Sequence, residues 1–444
     1  MSRAAPATTP KPRDHAERRR LSDEVHARPF AHLTSPEQIT HLALYTGEGS
    51  AHGDLAHLNA LCARYGVTPP TGEQHHALLD FGEFRLKWEC HTEFTSYTFF
   101  RAARLPGDEP FAHSAIDAVP RDWVDDLPGE LLAALKLVVE PAGKRPRGGD
   151  AIGRALSSRN FAAATVAGGA ASAYMDFAID AQGYGRVVVQ DRGLRPRQAG
   201  RLVQRLMEIE TYRMMALLAL PLAQARGAEL TRMGNRLTDI TQRMTAIRQP
   251  EDERQLLVDI TALSADVERV AAETQYRFAA ANAYSALVQR RIEELREQRI
   301  EGFQTFEEFI ERRLTPAMRT VHAIRDRLET LSRRVTRASQ LLRTRVEIEV
   351  ESQNRDLLSS MDNRAHMQLR MQETVEGLSL AAITYYAVGL VNYGAEALAA
   401  AGWAVPVNVV TGLSIPLIAG GGFFVTRRIR RRIRDAAPGT GAGG

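Results

Sequence analysis

The chain has 444 residues, a formal net charge of +4 and only two cysteines, Cys62 and Cys90. So small a charge excess excludes a strongly basic nucleic-acid domain, and no nucleic-acid partner is expected. Two cysteines without CxxC spacing exclude a disulfide framework and read as thiols of a reducing compartment.

Residues 1–20 are polar, contain proline and include Arg13, Arg18, Arg19 and Arg20; this composition predicts a disordered tail with no apolar leader. Residues 21–193 carry mixed α/β signals. Helices are predicted at Pro36–Tyr45, Asp54–Tyr65 and Asp122–Leu135, the last with Asp122 as N-cap. Strict alternation over Glu83–Phe100 predicts a strand. It places Phe84, Leu86, Trp88, Cys90 and Phe94 on one face, and Arg85, Lys87, Glu89, His91 and Glu93 on the other. Further strands are predicted at Leu135–Glu140, Asn160–Ala167, Ala171–Ile179 and Tyr184–Gln190, with Pro141–Asp150 as a loop.

Residues 194–376 change texture: strand signals vanish and good helix formers take over. Pro221, Pro250 and Pro316 are expected to divide this region into several helices. In the last of these, Val321, Ile324, Leu328, Leu331, Val335, Ala338 and Leu342 repeat at 3-4 spacing, the seam of a helix that packs lengthwise on a partner. That helix is expected to continue as a coiled-coil stalk to Glu376 and on into an apolar span.

Two such spans occupy residues 377–426, at Leu378–Leu398 and Val405–Val425. Each is long enough for a helix to cross a hydrocarbon core of roughly 30 Å. The connector Ala399–Ala404 has no Lys or Arg, whereas Arg427, Arg428, Arg430, Arg431, Arg432 and Arg434 follow the second span in a basic tail, 427–444. By the positive-inside rule both termini lie in the cytoplasm, with the arginines anchoring the hairpin in an inner membrane.

Three groups offer chemistry. Asp23, Glu24, His26 and Arg28 crowd the tract Ser22–Phe30, either as an acid/base or metal cluster or as a charged segment ended by Pro29. Glu89, His91 and Glu93 share a strand face, either as ligands for a divalent cation or as a solvated face. His75 and His76 read as a loop feature or a ligand pair. No phosphate loop, GxSxG elbow or HExxH occurs, so no enzyme is expected. In the first span Tyr385, Gly389, Asn392 and Glu396 form one polar or small stripe, and in the second Gly412, Pro416, Gly420, Gly421 and Gly422 allow close helix contact.

This order of parts resembles CorA-type magnesium transporters, pentamers whose first spans line a pore. The local likeness is Tyr393–Gly394. Where that group reads Gly-Met-Asn at the pore mouth, this chain reads Gly394, Ala395 and Glu396, leaving Asn392 and Glu396 as substitutes. The resemblance implies a CorA-like architecture, a homo-oligomer in the bilayer and a conduit for a divalent cation. The alternative is a membrane-tethered sensor or scaffold whose hairpin is only an anchor. The segments SDEVHARPF, KWECHTEFTSYTF, MEIETYRMMALLALP and ETVEGLSLAAITYYAVGL also resemble those shared within an uncharacterised bacterial membrane-anchored family, a domain of unknown function.

Overall fold

The computed structural model describes residues 12–19, 22, 30–47, 51–71, 74–103, 109–143, 146–247, 249–402, 404 and 406–436. The chain divides into two compact units, one of Met1–Ile247 with Gln255–Gln340 and one of Arg248–Arg254 with Leu341–Gly444.

The first unit is an α/β sheet domain followed by long helices. Its strands are β1 (Glu37–Tyr45), β2 (His76–Asp80), β3 (Arg85–Cys90), β4 (Phe94–Ala102), β5 (Glu130–Pro141), β6 (Ala162–Val166), β7 (Ala171–Met175), β8 (Gly185–Asp191) and β9 (Gln298–Arg299). They form one sheet in the order β2-β3-β4-β1-β5-β8-β7-β6-β9. All neighbours run antiparallel except β5 and β8, whose parallel pairing joins the two halves.

Three sequence expectations fail for physical reasons. Pro36–Tyr45 is not a helix but contains β1, a central strand held by ladders on both sides, so tertiary pairing outweighs local propensity. Asp122–Leu135 splits into a short helix, α2 (Arg121–Asp125), and the start of β5, because Gly129 has φ +103° between them. Glu83–Phe100 is a hairpin: the chain turns at His91–Glu93, where His91 N–H donates to the Phe94 carbonyl at 2.8 Å.

Helices cover both faces. On one, α1 (Ala51–Tyr65) buries Leu58, Leu61 and Cys62 with the Leu86, Trp88, Tyr97 and Phe99 side of the sheet and with Trp123, and α3 (Gly149–Leu156) covers β6–β8 through Ile152 and Leu156. On the other lies α4 (Pro196–Leu217). Asp191 prepares its start by accepting the N–H groups of Gly193 and Leu194 at 2.8 and 2.7 Å, and Pro196 fits the first turn, where no N–H is needed. Leu202, Val203, Leu206 and Ile209 then pack on Leu137, Val139, Val187 and Val189. Full burial of each such side chain stabilises by about 1.5–3 kcal/mol.

Past α4 come α5 (Ala219–Ala246), α6 (Pro250–Leu295) and α7 (Phe306–Ala400). Pro221 and Pro250 lie in the first turns of α5 and α6, whereas Pro316 lies inside α7 without ending it. A reciprocal capping box starts α7: Thr305 Oγ1 accepts Glu308 N–H, and the Glu308 carboxylate accepts Thr305 N–H, both at 3.2 Å. The seam from Val321 to Ala338 is buried, and its companions belong to the same chain. Ile324 lies beside Gly227 of α5, Arg327 donates to Thr231 at 3.0 Å, and His322 meets Asn282 of α6 at 3.2 Å. Ion pairs Arg236–Asp266 (2.8 Å) and Arg243–Asp259 (3.1 Å) bind α5 to α6.

In the second unit the end of α7 and α8 (Val407–Ala436) contain two stretches long and apolar enough to cross a membrane, with mean hydropathy 1.4 and 1.7. Hardly any of their residues are buried within the chain (0% and 6%), unlike those of a core helix. Of the predicted small face on α8, Gly422 meets Leu380, while Gly412, Gly420 and Gly421 face open space.

One residue fixes how closely α4 can approach the chain segment that precedes β1. A Cβ on Gly200 would lie 1.8 Å from the Ala31 carbonyl oxygen, and backbone cannot move aside as a flexible side chain does. Gly200→Ala is expected to destabilise the protein by about 3 kcal/mol or more, read from the urea midpoint, whereas Gly234→Ala in α5, with open space at its Cβ, is expected to be neutral or mildly stabilising.

Candidate functional site: a polar cavity between the sheet and its helices

Alternation along β3 sends Lys87 and Glu89 to the side of the sheet that faces α4. Register then brings Thr98 opposite Lys87, Ser96 opposite Glu89, and His41 opposite Thr98. The result is a row of polar side chains inside a layer that is otherwise apolar. The row is not a solvated face: Lys87, Glu89, Glu93, Ser96, Thr98 and His41 are all buried. Burying such groups costs stability unless each is partnered.

Most of them are partnered closely. His41 spans two hydroxyls, with Nδ1 2.8 Å from Thr98 Oγ1 and Nε2 3.0 Å from Thr211 Oγ1 on α4. A neutral ring suits this, one nitrogen donating and the other accepting. Burial pushes the imidazole pKa down to about 4, against a smaller upward pull from Glu89. Lys87 Nζ lies 3.0 Å from Glu89 Oε1 and donates to Gln204 Oε1 at 3.1 Å. Burial alone would raise the Glu89 pKa, but the Lys87 ammonium overcomes it and holds the carboxyl below its ordinary range. Gln204 Nε2 donates to Glu208 at 2.7 Å, and Glu208 pairs with Arg291 of α6.

Apart from Lys87, these groups line a cavity of about 190 Å³ together with His91, Phe94, Ser96, Met207 and Tyr212. Its wall offers two carboxylates, one guanidinium, hydroxyls and imidazole beside aromatic and thioether surface. That mixture suits a small ligand with both polar and apolar parts.

The cavity depends on a tie at the β3–β4 turn. Both oxygens of Glu93 accept from Arg277 of α6, at 2.8 and 2.9 Å, and both side chains are largely buried. Tyr276 adds a bond to Glu93 at 3.3 Å. Phe94, Tyr284 and Tyr212 pack beside it in sequence, with ring centroids 6.3 and 5.7 Å apart. Burial and the neighbouring Glu93 carboxylate push the Tyr284 pKa up, keeping its hydroxyl protonated.

The predicted cation ligands therefore part company. Glu89 and His91 line the cavity, but Glu93 is committed to Arg277. Among the described residues no group of three His, Cys, Asp or Glu side chains is placed to hold a metal ion. Glu24 and His26 lie outside the described residues, and His76 is the first residue of β2. Sequence reading misses His41, Ser96, Thr98, Gln204, Glu208, Thr211, Tyr212 and Arg291. A signal did exist for five of them, since Ser96 and Thr98 sit in the segment KWECHTEFTSYTF and Glu208, Thr211 and Tyr212 in MEIETYRMMALLALP.

In the second unit, Asn392 Nδ2 donates to Glu396 at 2.9 Å, and Thr411 of α8 donates to Asn392 Oδ1 at 2.8 Å. Of the other stripe residues, Tyr385 is exposed and Gly389 faces open space; Tyr393 is likewise exposed and Gly394 faces open space. Arg427 and Arg428 belong to α8; the side chains of Arg430, Arg431, Arg432 and Arg434 lie outside the described residues.

The neutral state of His41 has a measurable consequence. The unfolded chain takes up a proton near pH 6.5, whereas the folded imidazole resists it until about pH 4. Its contribution is thus full above pH 6.5 and is lost as pH falls toward 4, amounting to roughly 3 kcal/mol. Chemical denaturation of wild type and His41→Gln across pH 4–7 should show the wild type losing stability more steeply by about that amount.

No curated protein and no solved structure matches this chain. A family described as "Protein of unknown function (DUF3422)" matches residues 13–433, nearly the whole length, and the chain belongs to that family.

Proposed function

We propose that this protein is a membrane-tethered binding module: the α/β unit takes up a small polar ligand in the cavity below α4 and α6, and the two apolar helices are its anchor. The observation that carries this reading is the buried polar row itself. A layer between sheet and helix is most stable when apolar, and charged groups kept there with a void beside them reduce stability in exchange for recognition. Burial holds His41 neutral and Lys87 holds Glu89 ionised, so the wall presents a fixed pattern before a ligand arrives.

The anchor part rests on the exposed apolar stretches of α7 and α8 and on the arginines that follow. With these in a bilayer, the arginine excess favours an inner membrane with both termini on the cytoplasmic side. The layout shared with CorA-type transporters supports that placement. A divalent-cation path through a pentamer gains less support: Asn392 and Glu396, the candidates for its mouth, are hydrogen-bonded to each other and to Thr411. The internal seam of α7, which an oligomer would need, is already covered by α5 and α6.

The test is native mass spectrometry of the full chain, extracted from its own membranes in mild detergent and compared with Ser96→Trp, which fills the cavity. The expected result is an additional small mass on the wild type that the variant lacks. Identical masses, with both proteins folded, would overturn the reading.

A further inference from the structure

A second cavity, of about 290 Å³, opens on the same side of the sheet and is lined by Ala167, Gly168, Gln198, Arg201, Leu202, Arg205, Glu294 and Arg296. Its charge balance differs sharply from that of the first. Three arginines converge with one glutamate, and that glutamate is already engaged: Glu294 pairs with Arg205 at 3.0 Å and with Arg291 at 3.1 Å. Arg201 lies over the ring of Phe30, with 5.9 Å from guanidinium carbon to centroid, and neither it nor Arg296 is within ion-pair distance of a carboxylate among the described residues. Two guanidinium groups thus line the cavity without a countercharge among the described residues.

Backbone geometry adds an independent observation. Ala167, Gly168 and Gly169 have φ of +55°, +69° and +93° in succession, at the turn from β6 into β7. For Ala167 this left-handed conformation is a local strain of order 1 kcal/mol. It is held in place by Gln198, whose Nε2 donates to the Ala167 carbonyl at 3.3 Å. A Cβ on Gly168 would meet nothing within 4 Å, so this backbone borders open space from which a ligand can approach. Arg296, too, is left-handed at φ +49°, just past the end of α6, and lines the cavity.

We infer that this cavity is an anion site for a small, multiply charged oxyanion, of which phosphate is the type: Arg201 and Arg296 supply paired N–H donors from two sides, and Arg205 remains with Glu294. Guanidinium forks match the tetrahedral oxygens of phosphate, and the net positive charge of the pocket would be neutralised on binding. The site is separate from the ligand cavity. The ion-pair chain Glu208–Arg291–Glu294–Arg205 forms the wall between them, with Glu208 and Arg291 on one side and Glu294 and Arg205 on the other.

The experiment is isothermal titration of the full chain in an uncharged detergent with inorganic phosphate. Four proteins are compared: wild type, the double variant Arg201→Gln with Arg296→Gln, the control Arg325→Gln on exposed α7, and Ser96→Trp. Thermal melting in phosphate-free buffer verifies that each is folded. Saturable binding is expected for wild type, for the control and for Ser96→Trp, with at least a tenfold loss in the double variant. An Arg201→Lys, Arg296→Lys pair is expected to recover part of that loss, because charge returns without the fork. Absence of saturable binding to wild type at millimolar phosphate would overturn the inference, and so would equal affinity in wild type and the double variant. Because Ser96→Trp is expected to keep phosphate binding, failure of the ligand-cavity reading and failure of this one give different patterns.

Discussion

The ion pair between Glu93 and Arg277 is the constraint on which the rest of the first unit depends. It joins the turn of one hairpin to a helix 184 residues further along, and both side chains are largely buried. Arg277 uses two nitrogens on the two carboxylate oxygens, a geometry that fixes orientation as well as distance. With that contact made, Tyr284 and Tyr212 fall beside Phe94, and Arg291, some four turns further along α6, reaches Glu208. The helical layer is thereby seated at a set height above the strands, and the polar cavity is the space left beneath it.

Stability and function pull against each other in this layer. The half of the sheet under Leu202, Val203, Leu206 and Ile209 is packed as an apolar core. The adjoining half carries Lys87, Glu89, His41 and two hydroxyls, and α4 supplies Gln204 to Lys87 and Thr211 to His41. The same helix therefore serves as a core element along one stretch and as the lid of a polar site along another, and Gly200 lets it lie against the backbone of Ala31.

Much of the architecture was legible in the sequence. The switch from mixed α/β texture to uninterrupted helix, the two apolar stretches and the α7 seam all reappear as physical objects. What was not legible depends on distant pairing. Pro36–Tyr45 contains a central strand only because β4 and β5 flank it. Glu93 looked like a surface carboxylate because Arg277 lies so far away in the chain. β9 is two residues long and exists only as an edge partner of β6, so no local signal could announce it. The cavity is legible only in hindsight, since its residues come from β1, β3, β4, α4 and α6.

The most direct test of this account is a double-mutant cycle on Glu93 and Arg277, with Glu93→Gln, Arg277→Met and the pair combined, read as unfolding free energies of the full chain in detergent. Leaving either charge buried alone should cost roughly 3–5 kcal/mol. The double variant should cost clearly less than the sum, with a coupling of about 2 kcal/mol or more between the sites. Additivity within about 0.5 kcal/mol would contradict the account, because it would mean that α6 is held over the sheet without this contact.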